Sequence, residues 1–226
     1  MIKAISTENN FNYLFVALLT LLFSTALLQQ LQEGWLTYLL DLIVFAVFVV
    51  GAYSIRIDHT FSWALYMISS LVIAFYLLRT FLSPEAATYI QLILMLLFFI
   101  SSFLLSYRQI LLVKKINRNI MVGSIVLYLL LGLIWSMLYL LMVQLFGDAF
   151  NGVVALPWQE NFSKLTYYSF VTLTTLGYGD ISPKNSIAEF FVYLESITGV
   201  FYMAIIVSTL VGSHLPKSQK GTFDHE

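Results

Sequence analysis

From Phe11 to Leu31 the chain carries no charged side chain, and five further stretches are nearly as apolar: Trp35 to Tyr53, Phe61 to Phe81, Thr88 to Tyr107, Ile120 to Phe146 and about Ile187 to Val211. About 20 mainly apolar residues cross the roughly 30 Å hydrocarbon core of a bilayer as one helix. Lipid offers no water to an open backbone, so helices that satisfy their own peptide groups are the structure these runs must adopt. Composition agrees: 60% of the residues are hydrophobic and 10% charged, outside the range of soluble domains. With no cysteine, disulfides and thiolate metal sites are excluded.

The expected fold is therefore an all-α membrane protein with six transmembrane helices. The polar breaks QQLQEG, SIRIDHT and LSPEA are short, which makes neighbouring early spans antiparallel. Six spans leave both termini on one side. Lys3, Arg56, Arg108, Lys114, Lys115, Arg118, Lys217 and Lys220 fall on that side, and Arg79, Lys164 and Lys184 on the other, so the positive-inside rule places both termini in the cytoplasm of a multi-pass cell-membrane protein. The first run has too long an apolar core and no small-residue cleavage site for a signal peptide, and is kept as a span.

About forty residues, Gly147 to Ser186, separate the last two spans on the external side. GDAFNGVVALPWQEN reads as an exposed loop with Trp158 at the interface. SKLTYYSFVTLTT follows, a helix over 163–175 with Ser163 as its cap; three turns are too few to span, so it enters the membrane and returns as LGYGD. Irregular backbone at that depth is tolerated where protein buries it or where it lines a watery cavity. Were the carbonyls of Thr175, Leu176, Gly177 and Tyr178 to face one way, alternate residues would need left-handed angles, which Gly177 and Gly179 supply without steric cost.

TTLGYGD resembles the filter of the potassium channels: Thr, a hydrophobic residue, Gly, an aromatic, Gly and then Asp, with Leu176 where valine or isoleucine is commoner. Alone, GYGD also occurs in ordinary turns; here Pro183 follows at the family's spacing and Gly199 stands nineteen residues after Asp180, where many members carry the inner-helix hinge. The resemblance covers about the last hundred residues and implies a pore domain over 119–214, with outer helix 119–146, pore helix 163–175, filter 175–180 and inner helix 187–214. It implies a homotetramer in which the carbonyls of Thr175, Leu176, Gly177, Tyr178 and Gly179 and the Thr175 hydroxyl replace the hydration shell of K⁺. Asp180 would stand at the outer mouth, braced by Tyr167 or Tyr168, which fall where the family carries a tryptophan pair. The cavity face of the inner helix would pass through Ser196, Val200, Met203, Val207 and Val211, and Val207 and Val211 are candidates for a dewetting gate, the alternative being a gate at the filter.

Glu195 lies in the inner helix about 80° from that face at 3.6 residues per turn. An ionisable group inside a span marks a functional hypothesis. Glu195 is expected to hydrogen-bond behind the filter, to Thr172 or Tyr168, and to steady it; a purely structural carboxylate between helices is the other reading.

Residues 1–118 form four expected spans. The fourth, TYIQLILMLLFFISSFLLSY, has no basic residue, so it lacks the arginine series of a voltage sensor. Asp41 and Arg79 are placed to pair near the outer leaflet. The basic linker from Arg108 to Arg118 is a positive-inside anchor or a contact with anionic lipid. The tail, 215–226, is too short for a ligand-sensing domain, and His214 near the inner mouth is most simply a tail histidine. No catalytic cluster is visible. The reading is a passive K⁺ channel with K⁺ as its only ligand, no organic cofactor, membrane lipid around it and no nucleic-acid partner. A potassium transporter subunit and a regulatory channel subunit are the alternatives.

Overall fold

The computed structural model describes residues 10–31, 81–112, 118–154 and 156–214, together with scattered helical residues between 42 and 75. Five long helices and one two-stranded ribbon stand out: α1 Asn10–Leu31, α2 Pro84–Leu112, α3 Arg118–Phe146, β1 Phe150–Asn151, α4 Trp158–Leu173, β2 Ser182–Pro183 and α5 Ser186–His214. Over Asn10–Leu27, Pro84–Ile110, Arg118–Phe146 and Ser186–Ile206, four of these helices are long and apolar enough to cross a membrane. Asp41, Arg79 and most of the second and third expected spans lie outside the described residues.

The helix starts follow from local chemistry. Ser83 begins α2: its hydroxyl accepts from Ala86 N–H at 3.4 Å and its carbonyl from Ala87 N–H at 2.9 Å. Pro84 fills the next position, where its missing N–H costs nothing, and Glu85 sits in the positive first turn. Asn185 does the same for α5, its Oδ1 accepting from Ala188 N–H at 2.8 Å.

The central element is α3. Of its span, 61% is buried, against 11% of the span of α5. Leu130, Leu133, Met137, Tyr139 and Leu140 form a fully buried stripe on it. α1, α2 and α4 all pack on α3, and α1 also touches α4. At one end Asn10 joins the three front helices, donating to Gln109 and accepting from Asn119, both at 3.0 Å. At the other, Gln29 Nε2 donates to the Glu160 carbonyl at 3.3 Å and Tyr89 to the Gln144 carbonyl at 2.9 Å.

Two expectations need correction here. The segment after α3 is not an exposed loop: Ala149, Phe150 and Val153 are buried, and Phe150 and Asn151 pair antiparallel with Pro183 and Ser182. Lys184 closes the ribbon with an ion pair to Asp148 and a 2.9 Å backbone bond to Ala149. The re-entrant helix begins at Trp158, not Ser163, with Pro157 at its cap and no side-chain capping bond. Trp158 is 1% exposed and packs edge-on against Phe162 at 6.0 Å, so burial of the indole, which composition cannot reveal, extends the helix backwards by five residues.

Candidate ion-conducting site

α4 stops at Leu173 because the chain turns its own N–H groups back onto the helix end. Thr174 N–H reaches the Phe170 carbonyl at 3.0 Å, Thr175 N–H the Thr172 carbonyl at 2.9 Å, and Leu176 and Gly177 N–H the Val171 carbonyl at 2.9 and 3.3 Å. No basic side chain occupies the last turn, so the partial negative charge of the helix C-terminus faces the chain that follows.

That following chain alternates in hand. Thr175, Gly177 and Gly179 have φ of 62°, 55° and 81°, while Leu176 and Tyr178 do not enter the positive region. Alternation of this kind is the geometry needed for successive carbonyls to face one side, where an ordinary strand would alternate them. A Cβ built on Gly177 or Gly179 meets nothing within 4 Å, so glycine is required there for its backbone angle and not for space. Thr175 takes the same angle with a β-branched side chain, a strained arrangement that sequence reasoning did not anticipate. Residues Thr174 to Asp180 are all exposed, Leu176 and Tyr178 at 59% and 68%, forming an open wall on one side of the chain.

Three supports hold this wall. On the outer side, Gly152 approaches so closely that a Cβ would lie 2.4 Å from the Asp180 carbonyl, and Ile181 is buried. Tyr167 stands beside Asp180; desolvation and the neighbouring carboxylate hold its phenol above the usual range. Tyr168 turns inward instead, its ring packed on Tyr139 at 5.3 Å and Phe150 at 5.4 Å. Behind the wall, a Cβ on Gly199 would lie 2.1 Å from the Leu173 carbonyl, the last residue of α4. Gly199 is continuously helical, so the constraint visible at this position is close backbone approach.

The third support is Glu195, which is 0% exposed. Its partners are not Thr172 or Tyr168. Tyr139 on α3 donates to one carboxyl oxygen and the Ser169 hydroxyl on α4 meets the other, both at 2.5 Å. Ser169 also lies 2.8 Å from the Gly132 carbonyl. The helical angle of Glu195 was legible in the sequence, but which residues of two other helices reach it depends on how those helices cross. Gly132 sits where the Phe170 ring lies against α3, 2.6 Å from where a Cβ would be. The small residues Gly132 and Ser136, four apart, were the available sequence signal for that approach.

On α5 the expected cavity face is open in the single chain: Val200 and Met203 are 55% and 49% exposed. Ser196 is half-buried and donates to the Val192 carbonyl at 3.1 Å. The side chains of Val207 and Val211 lie outside the described residues. One turn beyond Gly199, Tyr202 donates to the Ser124 carbonyl and packs on Tyr128 at 5.4 Å, tying α5 to α3.

Comparison with known proteins matches the ion channel family to residues 123–213, which begin in α3 and end in α5 and so enclose the whole site. No curated protein and no solved structure matches the chain. The match supports an ion channel domain and points away from an enzyme. Over residues 123–213 the chain is thus similar to the ion channel family, a match that supports a member of the pore-loop superfamily that includes the potassium channels.

Proposed function

We propose that four copies of this chain surround one axis and conduct K⁺ passively. The observation that carries the reading is the positive φ at Thr175, Gly177 and Gly179 within TTLGYGD. A backbone that alternates in hand over these residues offers a column of carbonyl oxygens, which a fourfold ring converts into a series of cages for a dehydrated cation. Thr175 adds its hydroxyl at the inner end and Asp180 draws cations to the outer mouth. The C-terminus of α4 favours a cation beneath the filter. The exposure of 174–180 and the open face of α5 supply surface for the ion path and for neighbouring copies.

In this reading residues 119–214 are the pore domain, 1–118 surround it with lipid outside, 215–226 are a cytoplasmic tail, and both termini are cytoplasmic. The gate lies at the Val207 and Val211 ring or at the filter, with Gly199 as the hinge in the first case. Reconstituted in a planar bilayer with K⁺ opposed to Na⁺, the protein is expected to give discrete currents reversing near the K⁺ equilibrium potential. Carrier-like flux without unitary currents would favour a transporter subunit, and silence relieved by another channel protein would favour a regulatory subunit.

Voltage should matter little. One charge moved through 100 mV is worth about 2.3 kcal/mol, and α2 carries no basic residue between Pro84 and Tyr107. Open probability is expected to change less than about tenfold over 100 mV, the equivalent of well under one such charge per channel. A steeper curve in macroscopic recordings would show a sensor elsewhere in residues 1–118.

A further inference from the structure

The network at Glu195 contains more contacts than an ionised carboxylate can fill with hydrogens. Three short oxygen pairs are present: Tyr139 hydroxyl to Glu195 at 2.5 Å, Ser169 hydroxyl to Glu195 at 2.5 Å, and Ser169 hydroxyl to the Gly132 carbonyl at 2.8 Å. Tyr139 and Ser169 bring one proton each. If Glu195 is ionised, Ser169 can donate to Glu195 or to Gly132 but not to both, and one pair is left as two acceptors in contact. If Glu195 carries a proton, every pair is filled: Tyr139 donates to the carboxyl C=O, the carboxyl O–H donates to Ser169, and Ser169 donates to the Gly132 carbonyl.

The surroundings point the same way. Glu195 is fully buried, and among the described residues its bonding partners are Tyr139 from α3 and Ser169 from α4, with Tyr168 the other titratable group facing it from α4. Among the described residues no cation bonds to it, and the ion pair of Lys184 with Asp148 is in the ribbon after α3. A buried charge without a counter-ion is strongly destabilising, whereas a neutral acid with all its bonds made is an ordinary polar link.

We propose that Glu195 is a neutral carboxylic acid whose proton, donated to Ser169, completes a hydrogen-bonded chain from the inner helix through the pore helix to the outer helix. Glu195 is thereby a positioning residue for the filter. Ser169 lies one turn and a half before Thr175, and Gly199, one turn after Glu195, abuts the Leu173 carbonyl. The two contacts together fix the last turns of α4 against α5, and the wall of residues 174–180 springs from that fixed end. The functional consequence rests on the potassium-channel reading; the protonation state does not.

Infrared difference spectra of the full-length protein in lipid vesicles test the proton directly. The wild type is expected to show the C=O stretch of a protonated acid that shifts in D₂O and is missing from Glu195→Gln. Tyr139→Phe should move the same band to higher frequency by removing the bond to its C=O. In bilayers, Glu195→Gln, whose amide can donate to Ser169 and accept from Tyr139, should keep mean open time and reversal potential within about twofold of wild type. Ser169→Ala and Glu195→Ala should shorten mean open time roughly tenfold, the scale of one buried hydrogen bond lost with its partner stranded. A Glu195→Gln spectrum that retains the acid band, or a Glu195→Gln channel as impaired as Glu195→Ala, overturns the proposal. A wild type that passes no K⁺-selective current refutes the functional reading, while the band still decides the proton.

Discussion

Alanine at Gly177 is expected to abolish the preference for K⁺ over Na⁺ while leaving the chain folded and inserted. Nothing lies within 4 Å of the new Cβ, so neighbouring side chains do not object. The backbone does: φ is +55° there, and a left-handed angle costs an L-residue with a Cβ about 1–2 kcal/mol. In the proposed ring of four the same strain would recur in every subunit, for a total of roughly 4–8 kcal/mol that a return to negative φ would release. That return rotates the adjoining peptide and takes its oxygen off the ion path. In a K⁺ against Na⁺ gradient the reversal potential should then move from the K⁺ equilibrium value toward zero, or current should vanish. Gly179→Ala, at φ +81°, should behave alike. Thr175→Ala is the control: the angle of 62° is already occupied by a residue with a Cβ, so only the proposed hydroxyl ligand is lost and selectivity should fall less. An unshifted reversal potential for Gly177→Ala would remove the alternating backbone as the basis of conduction.

The second large effect is expected at Gly199. A methyl group there would lie 2.1 Å from the Leu173 carbonyl, and the obstacle is backbone at the end of α4, not a side chain that can swing away. Either α5 or α4 must withdraw by about an ångström, and forced overpacking of this kind costs roughly 1–3 kcal/mol per subunit. Gly199→Ala should lower the thermal stability of the assembled channel and shorten openings, because the displaced element is the one from which residues 174–180 start. Gly132→Ala provides the contrast: its methyl would meet the Phe170 ring at 2.6 Å, and a ring can rotate. Melting of the purified assembly should therefore fall further for Gly199→Ala than for Gly132→Ala. The reverse order would mean that Gly199 serves as a bend point without a packing role.

Much of this protein was legible before its structure. Twenty-residue apolar runs dictate membrane helices because lipid leaves the backbone no other partner, and the boundaries expected for the outer and inner helices, 119–146 and 187–214, lie within one residue of α3 and α5. Gly177 and Gly179 were readable as left-handed positions because glycine alone adopts them freely. These are local properties, set by a residue and its immediate neighbours. Trp158, Glu195 and Thr175 were different. Whether an indole lies at an interface or under a helix, which hydroxyls meet a buried carboxylate, and whether a threonine is held at φ 62° depend on the crossing of α3, α4 and α5. The sequence by itself determined where helices form and where the chain must break; the tertiary structure alone decided which groups on different helices share a hydrogen bond, because such contacts are made between segments that no local pattern relates.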